Sequence, residues 1–118
     1  MMQENAGEDH RPWGYFQVLA EGSSHKIKRI TVHPGKRLSL QRHRLRDEHW
    51  FVLEGEAVVT RNGEETALSK GQSLDIPQGT LHRIFNPGKG DFVIIEIQTG
   101  TYFGEDDIER IEDDFGRC

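Results

Sequence analysis

From Tyr15 onward the chain alternates apolar and polar residues in short runs, broken at close intervals by turn signals. Nine runs read as strands: Tyr15–Leu19, Lys26–His33, Arg37–Arg42, Glu48–Leu53, Ala57–Arg61, Glu65–Leu68, Ser73–Ile76, His82–Phe85 and Phe92–Gln98. A two-residue period puts alternate side chains on opposite faces of a sheet. In the last run Val93, Ile95 and Ile97 make one aliphatic face, while Phe92, Ile94, Glu96 and Gln98 share the other. Asn62-Gly63 is the strongest hairpin signal, because both residues accept the positive φ of a tight primed turn. Only Glu105–Asp113 has helical character: acids at its start suit the positive end of a helix dipole, and Ile108 and Ile111 are three apart. Residues 1–10 carry almost no apolar side chains and predict a disordered lead-in, leaving 11–118 as one domain. Many short strands in one small unit predict an all-β sandwich or barrel with a short C-terminal helix.

Composition narrows the partners. The 118 residues suffice for one core and leave no room for a separate nucleotide-binding domain. A net charge of -5 argues against nucleic acid and anionic membranes, which need a positive surface. The charge is unevenly distributed, however. Lys26 to Arg46 holds eight bases and no acid, whereas Glu105 to Asp114 holds seven acids and one base, Arg110. Such blocks ordinarily form solvated surface. The single cysteine, Cys118, excludes an intramolecular disulfide and fits a reducing compartment. No apolar run reaches the length of a membrane span or a signal-peptide core, so a cytoplasmic protein is expected.

The candidate chemistry lies in two segments. Gly35 to Gly55 reads GKRLSLQRHRLRDEHWFVLEG, with Gln41-x-His43 four residues before Glu48; Gly71 to Asn86 reads GQSLDIPQGTLHRIFN, with Pro77-x-Gly79 two residues before His82. The pair resembles the two signature motifs of the cupin superfamily, with Gln41 where the first histidine usually stands. The resemblance implies a double-stranded β-helix, a jelly-roll-like barrel. Strand parity aims Arg37, Ser39, Gln41 and His43 in one direction, and burying them together is costly unless something binds them. Gln41, His43, Glu48 and His82 make a nitrogen and oxygen set suited to zinc, manganese, iron, cobalt or nickel. Alternatively, these groups hydrogen-bond one another without a metal. The neutral amide of Gln41 suits a Lewis-acid role better than a redox one.

The flanks carry a closer resemblance. Arg11-Pro12-Trp13-Gly14, Lys26–Gly35, Arg37–Gln41, Glu48-His49-Trp50, Asn86-Pro87-Gly88 and the tail from Glu96 to Arg117 are similar to the C-terminal cupin domain of type II mannose-6-phosphate isomerases. That domain is commonly fused behind a mannose-1-phosphate guanylyltransferase. The resemblance implies a divalent metal, usually zinc, and interconversion of mannose 6-phosphate and fructose 6-phosphate through a cis-enediol. It also makes a separate guanylyltransferase in the same pathway a possible partner. The reaction needs a Lewis acid, a proton-shuttling base and a cationic phosphate anchor. Arg37, Ser39, Arg11, Arg110 and Arg117 are the substrate candidates. Arg46, on the presumed face of Glu48, is a candidate for charge stabilisation. Glu96 on its apolar strand is either the base or a structural partner of Lys28 or an arginine. His49 has the parity of the outer face; Trp50 shares the ligand face and either lines the pocket or fills core. Apolar residues on the second strand face predict sheet packing or a homodimer. The alternatives are a non-catalytic sugar-phosphate-binding cupin, or another cupin enzyme such as an oxygenase, sugar isomerase or epimerase.

Overall fold

The computed structural model describes residues 7–116. Eleven strands follow one another: β1 (Asp9–Arg11), β2 (Gly14–Glu21), β3 (His25–Val32), β4 (Leu40–Arg42), β5 (Arg46–Glu54), β6 (Glu56–Arg61), β7 (Glu64–Ser69), β8 (Ser73–Ile76), β9 (His82–Phe85), β10 (Phe92–Gly100) and β11 (Glu109–Glu112). They form two antiparallel sheets in the orders β1-β2-β3-β10-β5-β8 and β11-β4-β9-β6-β7. The fold is a cupin. Among the described residues there is no helix long and apolar enough to cross a membrane.

Alternation explains which faces meet. On β5, Arg46, Glu48, Trp50 and Val52 are buried while Asp47, His49 and Phe51 are exposed. The inner face of the six-stranded sheet changes character row by row. Phe16, Ile30, Ile94 and Val52 stand in one cross-strand row, then Lys28, Glu96 and Trp50, then Lys26, Gln98 and Glu48. The apolar row joins Val32, Ala57, Val59, Leu68, Ile76, Ile84 and Phe92 in the core. The charged rows lie at the other end, where they face β4, β9 and the C-terminal segment. Asn62 and Gly63 have φ of 47° and 86° and close the two-residue β6–β7 hairpin, as their sequence predicts.

Three expectations need correction. The segment Glu105–Asp113 is a turn followed by strand β11, with no helix. Its residues pair with the open edge of β4, Glu109 with Arg42 and Arg110 with Gln41, so Ile108 and Ile111 do not share a helical face; Ile111 is exposed. The lead-in is shorter than 1–10, because Asp9 and His10 pair with Phe16 and Tyr15; residues 1–6 lie outside the described residues. The run Arg37–Arg42 is a strand only over Leu40–Arg42, with an isolated bridge from Arg37 to Phe85.

The two charge blocks meet. Lys28 and Lys26 reach Glu105, Arg42 and Arg44 reach Glu109, and Arg37 forms a paired contact with Asp114. The acidic tail is thus fastened along the basic half of the chain instead of being a separate solvated face.

Candidate metal centre

Gln41 on β4 lies directly opposite His82 on β9, and Glu48 and Trp50 are successive inward residues of β5. His43 follows β4 into the loop that leads to β5. All five side chains are buried and line one cavity that opens to solvent at its mouth. One ligand atom from each of His43, Glu48 and His82 lies within 4.8 Å of the others. The two imidazole centroids are 5.3 Å apart, and the Trp50 ring stands edge-on to His82 at 5.8 Å.

Hydrogen bonds fix how these groups face. His43 Nδ1 donates to the Asp107 carbonyl (2.5 Å) and His82 Nδ1 to the Thr80 carbonyl (2.8 Å), which leaves each Nε2 with its lone pair. Trp50 Nε1 donates to Glu48 Oε1 (2.9 Å) and Arg46 Nε to Glu48 Oε2 (2.8 Å). Arg46 Nη2 also donates to His43 Nε2 (3.1 Å), so a cation bridges two of the three donors. Gln41 turns its amide nitrogen toward the Ser39 hydroxyl (3.1 Å). Burial, reinforced by the Arg46 charge, lowers the His43 pKa to about 4, and burial lowers that of His82. Both rings are therefore neutral near pH 7, the form in which imidazole binds metals. Two neutral imidazoles and a carboxylate, converging where the protein already places a guanidinium, fit a divalent cation.

Beside this cluster lies Glu96, buried and opposite both Lys28 and Trp50. Burial, then the neighbouring Glu48 carboxylate, raises its pKa to about 7. Gln98 Nε2 donates to its Oε1. The cavity wall also holds Arg11, Lys28, Arg83 and Arg110. Lys28 Nζ sits 4.1 Å from the Phe16 ring centroid and Arg11 Cζ 5.0 Å from the same ring, a cation–π arrangement on one wall. Arg46 Nη1 is buried with no hydrogen-bond partner among the described residues.

Of the residues expected from sequence, Gln41, His43, Glu48, His82, Arg46, Glu96, Arg11 and Arg110 come together in this cavity. Arg37 and Ser39 do not line it. Without a continuous strand the parity argument lapses there: Arg37 turns outward to Asp114, and Ser39 is fully buried against Gln41. Arg117 lies outside the described residues. His49 is on the outer face with Asp75, as its parity predicts. Sequence reasoning gave no site role to Lys28, Arg83, Asp107 or Glu105. For Lys28 a signal existed, since it shares strand parity with Ile30 and Val32.

Residues 2–113 match the family described as mannose-6-phosphate isomerase, C-terminal. Relatives include the xanthan biosynthesis protein XanB of Xanthomonas campestris pv. campestris, 51% identical over 92% of this chain and 23% of that protein. The alginate biosynthesis protein AlgA of Pseudomonas aeruginosa is 49% identical over 97% of this chain and 24% of its own length. The mannose-1-phosphate guanylyltransferase ManC of Salmonella typhimurium is 46% identical over 93% of this chain and 23% of its own. The chain thus spans about a quarter of the length of these relatives. Among solved structures, the capsular polysaccharide assembling protein CapF of Staphylococcus aureus superposes with a TM-score of 0.81, at 22% identity, over 93% of this chain and 33% of CapF.

Proposed function

The chain belongs to the mannose-6-phosphate isomerase C-terminal family, and on that premise we propose that it is a metal-dependent aldose–ketose isomerase interconverting mannose 6-phosphate and fructose 6-phosphate. The observation that carries this reading is the convergence in one cavity of His43, Glu48 and His82 with a buried acid, Glu96, and a cationic wall. His43, Glu48 and His82, together with Gln41, would hold the divalent cation, zinc in the first instance. Once bound, such an ion would supply Lewis-acid polarisation of the sugar oxygens.

The remaining work falls to the chain. As a carboxylate, Glu96 takes the proton from C2 of the open-chain aldose; the C–H electron pair forms the C1=C2 bond of the cis-enediol as the C1 carbonyl oxygen gains a proton. Glu96 then returns its proton to C1 while the C2 hydroxyl becomes the ketone, its proton replacing, by way of solvent, the one taken up by the C1 oxygen. Arg46 stabilises negative charge on the enediol oxygens through its unused Nη1. Arg11, Lys28 and Arg110 anchor the phosphate at the wall. Trp13, Phe16 and Ile30 supply apolar surface between these charged groups.

The setting we assign is cytoplasmic. A homodimer would use the outer face of the six-stranded sheet, where Phe51 and Ile97 are exposed. A separate guanylyltransferase is the expected pathway partner, because relatives named for that activity contain a segment of this family. The decisive experiment loads the protein with zinc and follows fructose 6-phosphate formation from mannose 6-phosphate by a coupled assay. Turnover that disappears on chelation and returns with zinc supports the reading. Tight sugar-phosphate binding without turnover would overturn it in favour of a binding protein.

A further inference from the structure

The segment between β10 and β11 contains one residue that grips three consecutive positions of the metal-centre loop. The Asp107 carbonyl accepts from His43 Nδ1 at 2.5 Å, its Oδ1 accepts from the Arg44 amide at 3.1 Å, and its Oδ2 accepts from the Leu45 amide at 3.0 Å. The segment is also held on the N-terminal side of this contact. The Thr101 amide donates to the Leu45 carbonyl, and the Asp107 amide donates to the Gly104 carbonyl. Gly100, with φ of 151°, lets the chain pass so close that a β-carbon there would lie 2.3 Å from the Leu45 carbonyl oxygen. A carbonyl can only accept, so the proton of the neutral His43 ring is on Nδ1 and the lone pair is on Nε2, facing Glu48.

We infer that Asp107 is a positioning residue, a carboxylate clamp that holds the loop so that its own carbonyl fixes His43 in the Nδ1–H tautomer and offers Nε2 to the metal. This inference rests on the metal reading above. His82 is oriented by Thr80, two residues away in sequence, and so needs no distant element. His43 accepts from the nearby Arg46 at Nε2, but its Nδ1 side is held by a residue 64 positions later in the chain. The clamp needs both carboxylate oxygens, because each meets an amide N–H. Asparagine at this position would turn an NH2 group toward one of those donors.

The test uses the full chain. Long-range proton–nitrogen NMR of the metal-free protein reads the histidine tautomers, and chelator competition reads zinc affinity. In Asp107→Ala, His43 is expected to populate both tautomers while His82 stays Nδ1–H, and zinc affinity should fall about 10- to 100-fold, the range for loss of an outer-shell partner. Asp107→Asn, a milder change, should lie between this variant and wild type. Asp106→Ala removes the same charge from the same turn without touching the clamp, and should change neither readout. A folded Asp107→Ala with an unchanged His43 tautomer and unchanged zinc affinity overturns the inference. So does an equal disturbance of His82. A wild-type protein that takes up no zinc overturns the metal reading instead, and the His43 tautomer in Asp107→Ala then decides the clamp alone.

Discussion

Lys28 and Glu105, 77 residues apart in sequence, meet in an ion pair of 2.5 Å at the wall of the cavity. Lys28 is almost wholly buried, and its ammonium also lies over the Phe16 ring. A buried lysine needs its partner, because an ammonium without one carries a large desolvation cost. Replacing Lys28 with Met should therefore leave metal binding intact while raising KM for the phosphorylated sugar more than tenfold. The comparison that decides is inhibition by inorganic phosphate against inhibition by the neutral sugar. Equal effects on both would remove Lys28 from phosphate recognition.

The tail should detach in acid before the barrel unfolds. Burial opposes ionisation of Glu105, but Lys28, Arg46 and Lys26 together hold its pKa below the usual glutamate range. Hydrogen bonds from Arg42 and Arg44 do the same for Glu109, and those from Arg37 for Asp114. Each folded pKa lies below the unfolded value, so the stabilisation is complete above about pH 4–5 and fades as pH falls through the folded values. Hydrogen exchange of residues 105–112 should accelerate below that range while β5 and β10 stay protected. Simultaneous loss of both at one pH contradicts this.

His82→Ala should lower zinc affinity by more than the loss of an outer-shell partner does, over about 100-fold, and abolish turnover. Gln41→Ala should be far milder in binding, because a neutral amide oxygen is the weakest donor of the set. Isothermal titration of both variants gives the ranking, and a Gln41→Ala defect as large as that of His82→Ala would show that the amide is a principal ligand.

Glu96→Gln keeps the shape and removes the base. Turnover should drop by about 10²- to 10⁴-fold with zinc affinity within a few-fold of wild type. Exchange of the C2 hydrogen with solvent should stop as well. Continued exchange in the variant would assign the base elsewhere.

Trp50 tests the join between core and site. It is 2% exposed and donates to Glu48. Trp50→Ala should cost about 3–5 kcal/mol in urea unfolding, the usual range for a large core truncation. Trp50→Phe retains most of the packing but strips the donor from a buried carboxylate, a loss of about 1–3 kcal/mol. Equal stability of Trp50→Phe and wild type would mean that the indole hydrogen bond contributes nothing.

Much of this arrangement is visible in residue alternation wherever a strand is long and paired on both sides. β5 and β10 meet that condition, and the inward positions of Glu48, Trp50 and Glu96 follow from parity alone. The rule loses its footing at residues 37–39, where Leu38 donates its amide to the Ile84 carbonyl outside any strand and the alternation restarts. Leu38 then turns to the core cluster and Arg37 to the surface. The C-terminal segment misleads for another reason. Its two isoleucines at helical spacing are a weak local preference, whereas the free edge of β4 and the row of cationic side chains beside it are tertiary facts. Pairing with that edge satisfies backbone groups and charges together, and local pattern carries no trace of it.

The position of β11 in the chain has a consequence for biosynthesis. It is the last described strand, and the segment leading into it carries Asp107 and Ile108. Translation is directional, at about 5–20 residues per second, and folding follows it. A nascent chain that has emerged through β10 already holds the central ladders of both sheets, but not the clamp on His43 or the Arg110 wall. The contact between His43 and the Asp107 carbonyl therefore forms only after residues beyond β10 have been made.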